Sequence, residues 1–217
     1  MVWNREIAGS FVAFLMVICL LLLIVKRRQL EKGSSYFIAA LTILTFIEIY
    51  CTVQRFFDKT FNSSILYVIG INFFVFLLFL LYFQSILVLK KLKKINFSLI
   101  VLFLLNYLVS ALVFENFFTI FPFFSYFLEV VLLSGSIFLV MSQTFNSDKI
   151  LGLGHYFPFW VCISLLVTYL GVLPLLVISY TATNLINLNI FFVLLFLVNV
   201  AGYTILLLGI IKAKRDI

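Results

Sequence analysis

The chain has 217 residues, of which 65% are hydrophobic and 11% charged, with 28 phenylalanines and a formal net charge of +7. A soluble domain of this length is about half apolar and a quarter charged. This composition, with a mean hydropathy of +1.26, excludes an ordinary soluble domain and points to an all-α, polytopic membrane bundle. The basic excess is scattered through short hydrophilic breaks rather than gathered on one surface, so it calls for no nucleic-acid partner.

Runs of about twenty apolar residues, enough to cross a hydrocarbon core of about 30 Å as a helix, recur seven times. They lie near 8–25, 36–54, 65–89, 96–114, 120–143, 157–180 and 189–211 and read as a single seven-helix domain. The first run is too long for a signal-peptide core. It ends in Lys26-Arg27-Arg28 with no small-residue cleavage site, so it reads as a retained helix. The fourth and fifth runs are divided least clearly, and Glu115–Thr119 must form a tight turn between them.

Lysine and arginine set the orientation. The breaks after spans one, three and five, with the C-terminal tail, hold twelve of the 15 basic residues; the N-terminus and the alternate breaks hold three. The positive-inside rule therefore predicts an external N-terminus and a cytoplasmic C-terminus. Lys90, Lys91, Lys93 and Lys94 suit anionic lipid head groups, so membrane lipids are expected partners.

Only two of the charged residues fall inside the spans, Glu48 and Glu129. A carboxylate in hydrocarbon is costly, by about 2.5 kcal/mol or more on insertion scales, and marks a functional-site hypothesis. In span two, Thr45, Glu48, Thr52 and Arg55 follow at spacings of three, four and three, which places them on one helical face. The stripe leads inward from Arg55 at the outer boundary to Glu48. The bland alternative is a protonated Glu48 bonded between helices, with the threonines bonded to their own backbone.

Span five runs inward, with Glu129 about a third of the way down and Ser136 and Gln143 continuing its face; Ser134-Gly135-Ser136 reads as a packing patch. Both glutamates lie in the outer half, and the sequence leaves open whether they meet. Asn72, Asn106, Thr168, Asn199 and Tyr203 add polar groups from spans three, four, six and seven, as interhelical glue or as the lining of an outward pocket. Within span six, Gly171 and Pro174 mark a bend, either a hinge or a fixed kink. His155, before Pro158 and Trp160, reads as an interfacial residue.

Cys19, Cys51 and Cys162 lie in separate spans, and no Cys/His cluster suggests a metal or other cofactor. There is no HExxH, no GxSxG and no paired aspartates, so the chain reads as non-enzymatic, with acid–base chemistry on a lipid a weak alternative. Lys212 and Lys214 lie only at the end of the last span, which disfavours a retinal Schiff base.

The segments LTFIEIY in span two, LYVIGINFF in span three and FPFW with LLVTYLGVLP in span six are similar to small bacterial seven-helix membrane proteins. Those proteins resemble the transmembrane input modules of sensor histidine kinases. The resemblance covers about half the chain and implies residence in the bacterial cytoplasmic membrane with an outward N-terminus. It also implies sensing of a small or lipid-like ligand and signalling through a separate cytoplasmic protein. It carries over Glu48 and the segment Trp160–Gly171. The competing expectation is a small, proton-coupled transporter using Glu48 and Glu129, although the apolar inner half offers no evident exit and the prolines (Pro122, Pro158, Pro174) all fall in the second half.

Overall fold

The structure is a computed structural model that describes residues 5–31, 33–58, 60–181 and 188–213. Among the described residues the secondary structure is entirely helical, and seven helices are long and apolar enough to cross a membrane. In chain order these are α1 (Arg5–Lys26), α2 (Ser34–Phe57), α3 (Ser64–Ile86), α4 (Lys90–Val113), α5 (Phe123–Phe145), α6 (Phe157–Ile178, its helix continuing to residue 181) and α7 (Leu188–Lys212).

The helices pack in a closed order. α1 lies against α2 and α7, α2 against α3, α4 against α5, and α7 against α6, while α3 also touches α4 and α5. α3 supplies much of the core, and Val75, Phe76, Leu80 and Phe83 are fully buried. The outer faces are apolar too, with Phe14, Phe46, Leu112, Phe138 and Leu197 all exposed. A bundle apolar both inside and out is suited to hydrocarbon rather than water, and this is the make-up of a multi-pass membrane protein.

Two helices are locally widened into π geometry. Tyr67–Val75 forms a π segment in α3, and Leu166–Leu170 forms one in α6. Such wide turns are uncommon and often lie beside functional sites. The second ends four residues before Pro174, whose ring cannot donate to the backbone carbonyl one turn earlier. α6 and α7 approach closely here. A Cβ on Gly171 would sit 2.8 Å from Val198 Cγ1, and one on Gly202 would run into Thr168.

Three boundaries differ from the sequence reading. α4 begins at Lys90 rather than near 96, so the four lysines form its first turns instead of a break. Their long stems let the helix leave the hydrocarbon while the ammonium groups stay wet. Gln143 of α5 satisfies the chain entering α4: its Oε1 accepts from the backbone N–H groups of Val88 (2.7 Å) and Leu89 (3.2 Å). The connection after α4 is longer than a five-residue turn, running over 114–122 and ending at Pro122. It is anchored by buried Phe117, which meets the Tyr107 ring edge-on at 5.2 Å. α3 ends at Ile86, a few residues early.

The two ends of the bundle are built differently. At the basic end, where α1 finishes, aromatic side chains fill the interior. Phe37 packs on Phe79 (5.6 Å), Tyr82 (5.4 Å) and Phe157 (5.8 Å). Lys26 also donates there to the carbonyls of Ile210 (2.9 Å) and Ile211 (2.7 Å), tying the last turn of α7 to α1. His155 Nδ1 lies 2.9 Å from the Lys212 carbonyl, and Trp160 donates to the Gly154 carbonyl at 3.0 Å. Lys149 pairs with Glu31 at 3.1 Å. His155 is thus an exposed residue at the end of the bundle.

Candidate functional site

The opposite end holds a cavity of about 560 Å³ between α1, α2, α3, α6 and α7, with Phe121 and Tyr126 closing one side. Its mouth is formed by Ala8 and Gly9 at the start of α1, Arg55 at the end of α2, and Phe192 near the start of α7. Its floor is formed by Met16, Leu44, Ile71, Tyr169 and Tyr203, near mid-helix. Phe76 seals the floor from the aromatic interior, touching Tyr126 at 5.8 Å and Tyr169 at 4.9 Å. The cavity is therefore one-ended.

Glu48 reaches it because α2 presents positions 48, 52 and 55 along one face, and all three line the cavity. The Tyr67 hydroxyl lies 3.1 Å from both carboxyl oxygens of Glu48 and is a hydrogen-bond donor to them. Tyr67 is held there by the π segment, which also brings Ile71 and Asn72 to the wall. Asn72 is buried, and its Nδ2 has no hydrogen-bond partner among the described residues. Arg55 Nη2 donates to Ser63 Oγ at 2.9 Å, in the loop that leads into α3, so the guanidinium is braced at the mouth. Across the cavity, the π segment of α6 supplies Thr168 and Tyr169, and α7 supplies Asn199 and Tyr203. Asn199 Nδ2 is bonded to its own helix at the Leu195 carbonyl (2.8 Å).

Six of the nine candidate ligand-binding residues thus line one space: Glu48, Thr52, Arg55, Asn72, Asn199 and Tyr203. The other three do not. Thr45 is buried and donates back to the Leu41 carbonyl at 2.6 Å. Glu129 and Asn106 lie between α4 and α5. Asn106 Nδ2 donates to Ser125 Oγ (3.0 Å) and to the Ser125 carbonyl (3.2 Å), and Ser125 Oγ donates to Glu129 Oε1 (3.0 Å). Glu129 has no exposed surface, and its Oε2 has no hydrogen-bond partner among the described residues. The two glutamates therefore do not share the cavity; they differ in the direction they face. Gly171 and Pro174 lie just beyond the π segment of α6, where Gly171 serves close packing against Val198.

The sequence reading did not single out Tyr67 or Tyr126, and it reached Tyr169 only within the segment Trp160–Gly171. A usable signal was present: a tyrosine inside an apolar span needs a partner for its hydroxyl, so tyrosines near a polar stripe are natural candidates. Ser125, one helical turn before Glu129, was a similar signal that Glu129 is served on its own helix.

The chain's class is thus a seven-helix bundle with a largely apolar cavity, carrying a few polar groups, at one end. Comparison with protein-family models, curated proteins and solved structures finds no match.

Proposed function

We propose that this chain is a non-enzymatic membrane receptor or accessory protein that binds a small or lipid-like ligand in the Glu48 cavity. It passes a change in helix packing to a separate cytoplasmic protein. In this reading the N-terminus and the cavity mouth face the exterior, and the distribution of lysine and arginine supports that orientation. The bacterial cytoplasmic membrane and the likeness to sensor input modules belong to the same reading.

The observation that carries it is the one-ended cavity. A concave space with apolar walls and a few convergent polar groups is the usual form of a small-molecule site. The aromatic filling beneath it (Phe37, Phe76, Phe79 and Tyr82) supports binding over transport, because a carrier needs a route onward. A ligand shifts helix packing only by binding one arrangement better than another. The π segments of α3 and α6 suit that requirement, since each lines the cavity and each has a regular α-helical alternative.

The test is native mass spectrometry of the full chain, extracted with its surrounding lipid. The wild type is expected to retain a small-molecule or lipid adduct that is lost in Glu48→Gln and in Gly9→Phe. Gly9 suits a filling substitution because a Cβ there meets only Thr52 Oγ1, at 3.7 Å. Equal retention by both variants would overturn the site. Solute flux in liposomes that disappears with Glu48→Gln would replace binding by transport.

A further inference from the structure

An acidic and a basic side chain stand in the cavity wall. Glu48 and Arg55 lie on the same face of α2, seven residues apart, so their Cα atoms are separated by roughly 10 Å along the helix. Neither forms an ion pair within 4.0 Å among the described residues. Glu48 is met by one neutral donor, the Tyr67 hydroxyl, and Arg55 by one neutral acceptor, Ser63 Oγ. In their ionised forms, side chains of this kind are costly to leave unmatched in a partly desolvated wall. A ligand carrying one charge would satisfy one of them and face repulsion from the other.

Around Glu48 the lining is aromatic. Tyr67, Tyr126, Tyr169 and Tyr203 surround the deeper part of the cavity. Ring faces beside a carboxylate form the usual receptor for an organic ammonium group, which is held both by charge and by the negative faces of the rings. Arg55 at the mouth offers a planar fork of donors suited to a carboxylate or phosphate. Val12, Met16, Leu44, Ile71, Val172 and Leu176 supply apolar wall beside the two groups.

We infer that the ligand is a zwitterion, with its ammonium group among the tyrosines at Glu48 and its acidic group at Arg55. This rests on the binding reading above and deepens it. The chemistry is shared by a free zwitterionic solute and by a zwitterionic lipid head group. The apolar wall beside the two groups accommodates an alkyl or acyl body.

The experiment measures calorimetric binding to the full chain in lipid nanodiscs, with N-octyl-N,N-dimethylglycine, octyltrimethylammonium, octanoate and tail-less trimethylglycine as probes. The octyl betaine is expected to bind about tenfold or more tighter than either singly charged octyl probe, the ratio that corresponds to one partly desolvated ion pair. Glu48→Gln should remove its advantage over octanoate, and Arg55→Gln its advantage over octyltrimethylammonium. Glu48→Asp and Arg55→Lys, which keep the charges, should retain most of the preference and show that the fold is intact. Binding of trimethylglycine as tight as the octyl betaine would assign a free solute, and a preference for the octyl form a lipid-like one; both support the zwitterion. If a singly charged probe binds as tightly as the betaine and Gly9→Phe abolishes that binding, the zwitterion is overturned and the cavity site stands. If no probe binds, or Gly9→Phe changes nothing, both readings fall.

Discussion

Glu129 is the residue on which sequence and structure diverge most, and it yields the most quantitative prediction. Its carboxyl group ends a chain of hydrogen bonds running from Asn106 of α4 through Ser125 to Glu129 of α5. Because Glu129 is wholly buried, truncation to alanine leaves a void and strips Ser125 Oγ of its acceptor. Large-to-small changes at such sites cost about 2–5 kcal/mol. A polar contact within a membrane bundle contributes about 0.6 kcal/mol on average. Much of the side chain is two methylenes, so Glu129→Ala should cost about 2–3 kcal/mol, toward the lower part of the cavity range. Glu129→Gln keeps the shape and an oxygen that accepts from Ser125, so it should cost less than about 1 kcal/mol. Reversible unfolding in mixed micelles measures both. Binding of the octyl betaine, measured on the same variants, should be unchanged in Glu129→Gln. The structural assignment is refuted if Glu129→Gln is as unstable as Glu129→Ala, or if it loses binding as Glu48→Gln does.

Further expectations follow from other contacts. Lys26→Met removes two charge-assisted bonds at the end of α7; the loss of about 1–2 kcal/mol should appear as faster hydrogen exchange over 206–213, with Lys26→Arg close to wild type. Thr45→Val should be nearly neutral in both unfolding and probe binding, because the Thr45 hydroxyl bonds only to its own helix at Leu41. Gly202→Leu should push α6 from α7 through Thr168 and lower the unfolding free energy by an amount typical of overpacking, about 1–3 kcal/mol. In the loop after α2, the hydroxyl and backbone N–H of Thr60 hold the Asp58 carboxyl below its ordinary range. A lowered folded-state pKa stabilises the loop above the ordinary aspartate range, and the effect is lost as pH falls through the lowered value. Exchange at the Thr60 amide should therefore accelerate only in strong acid, with the bundle unaffected.

The seven helices were legible because span length and hydropathy are set by bilayer thickness, a constraint each segment meets by itself. The stripe from Arg55 to Glu48 was legible for a similar reason: both residues belong to one helix with a fixed period. What could not be read was which way α5 is turned. Glu129 lies at a depth comparable to Glu48, but α5 directs it toward Asn106 of α4. Depth follows from counting along one chain segment, whereas facing direction depends on how neighbouring helices pack. The π turns were hidden as well, since no residue pattern in Tyr67–Val75 departs from that of an ordinary apolar helix. Their effect is large, because they bring Tyr67 and Tyr169 to the cavity wall. The early start of α4 escaped a hydropathy reading because lysines lower the average while remaining good helix formers.

The central claim is that Glu48 stands in a cavity reached from outside. Thr52, one turn nearer the mouth on the same face, gives the direct test. With Cys19, Cys51 and Cys162 replaced, Thr52→Cys in intact cells should react with a membrane-impermeant cationic thiol reagent added outside, and octyl betaine should slow the reaction. Reaction only from the cytoplasmic side in inverted vesicles, or no reaction while a cysteine at exposed Asn116 reacts freely, would contradict the account.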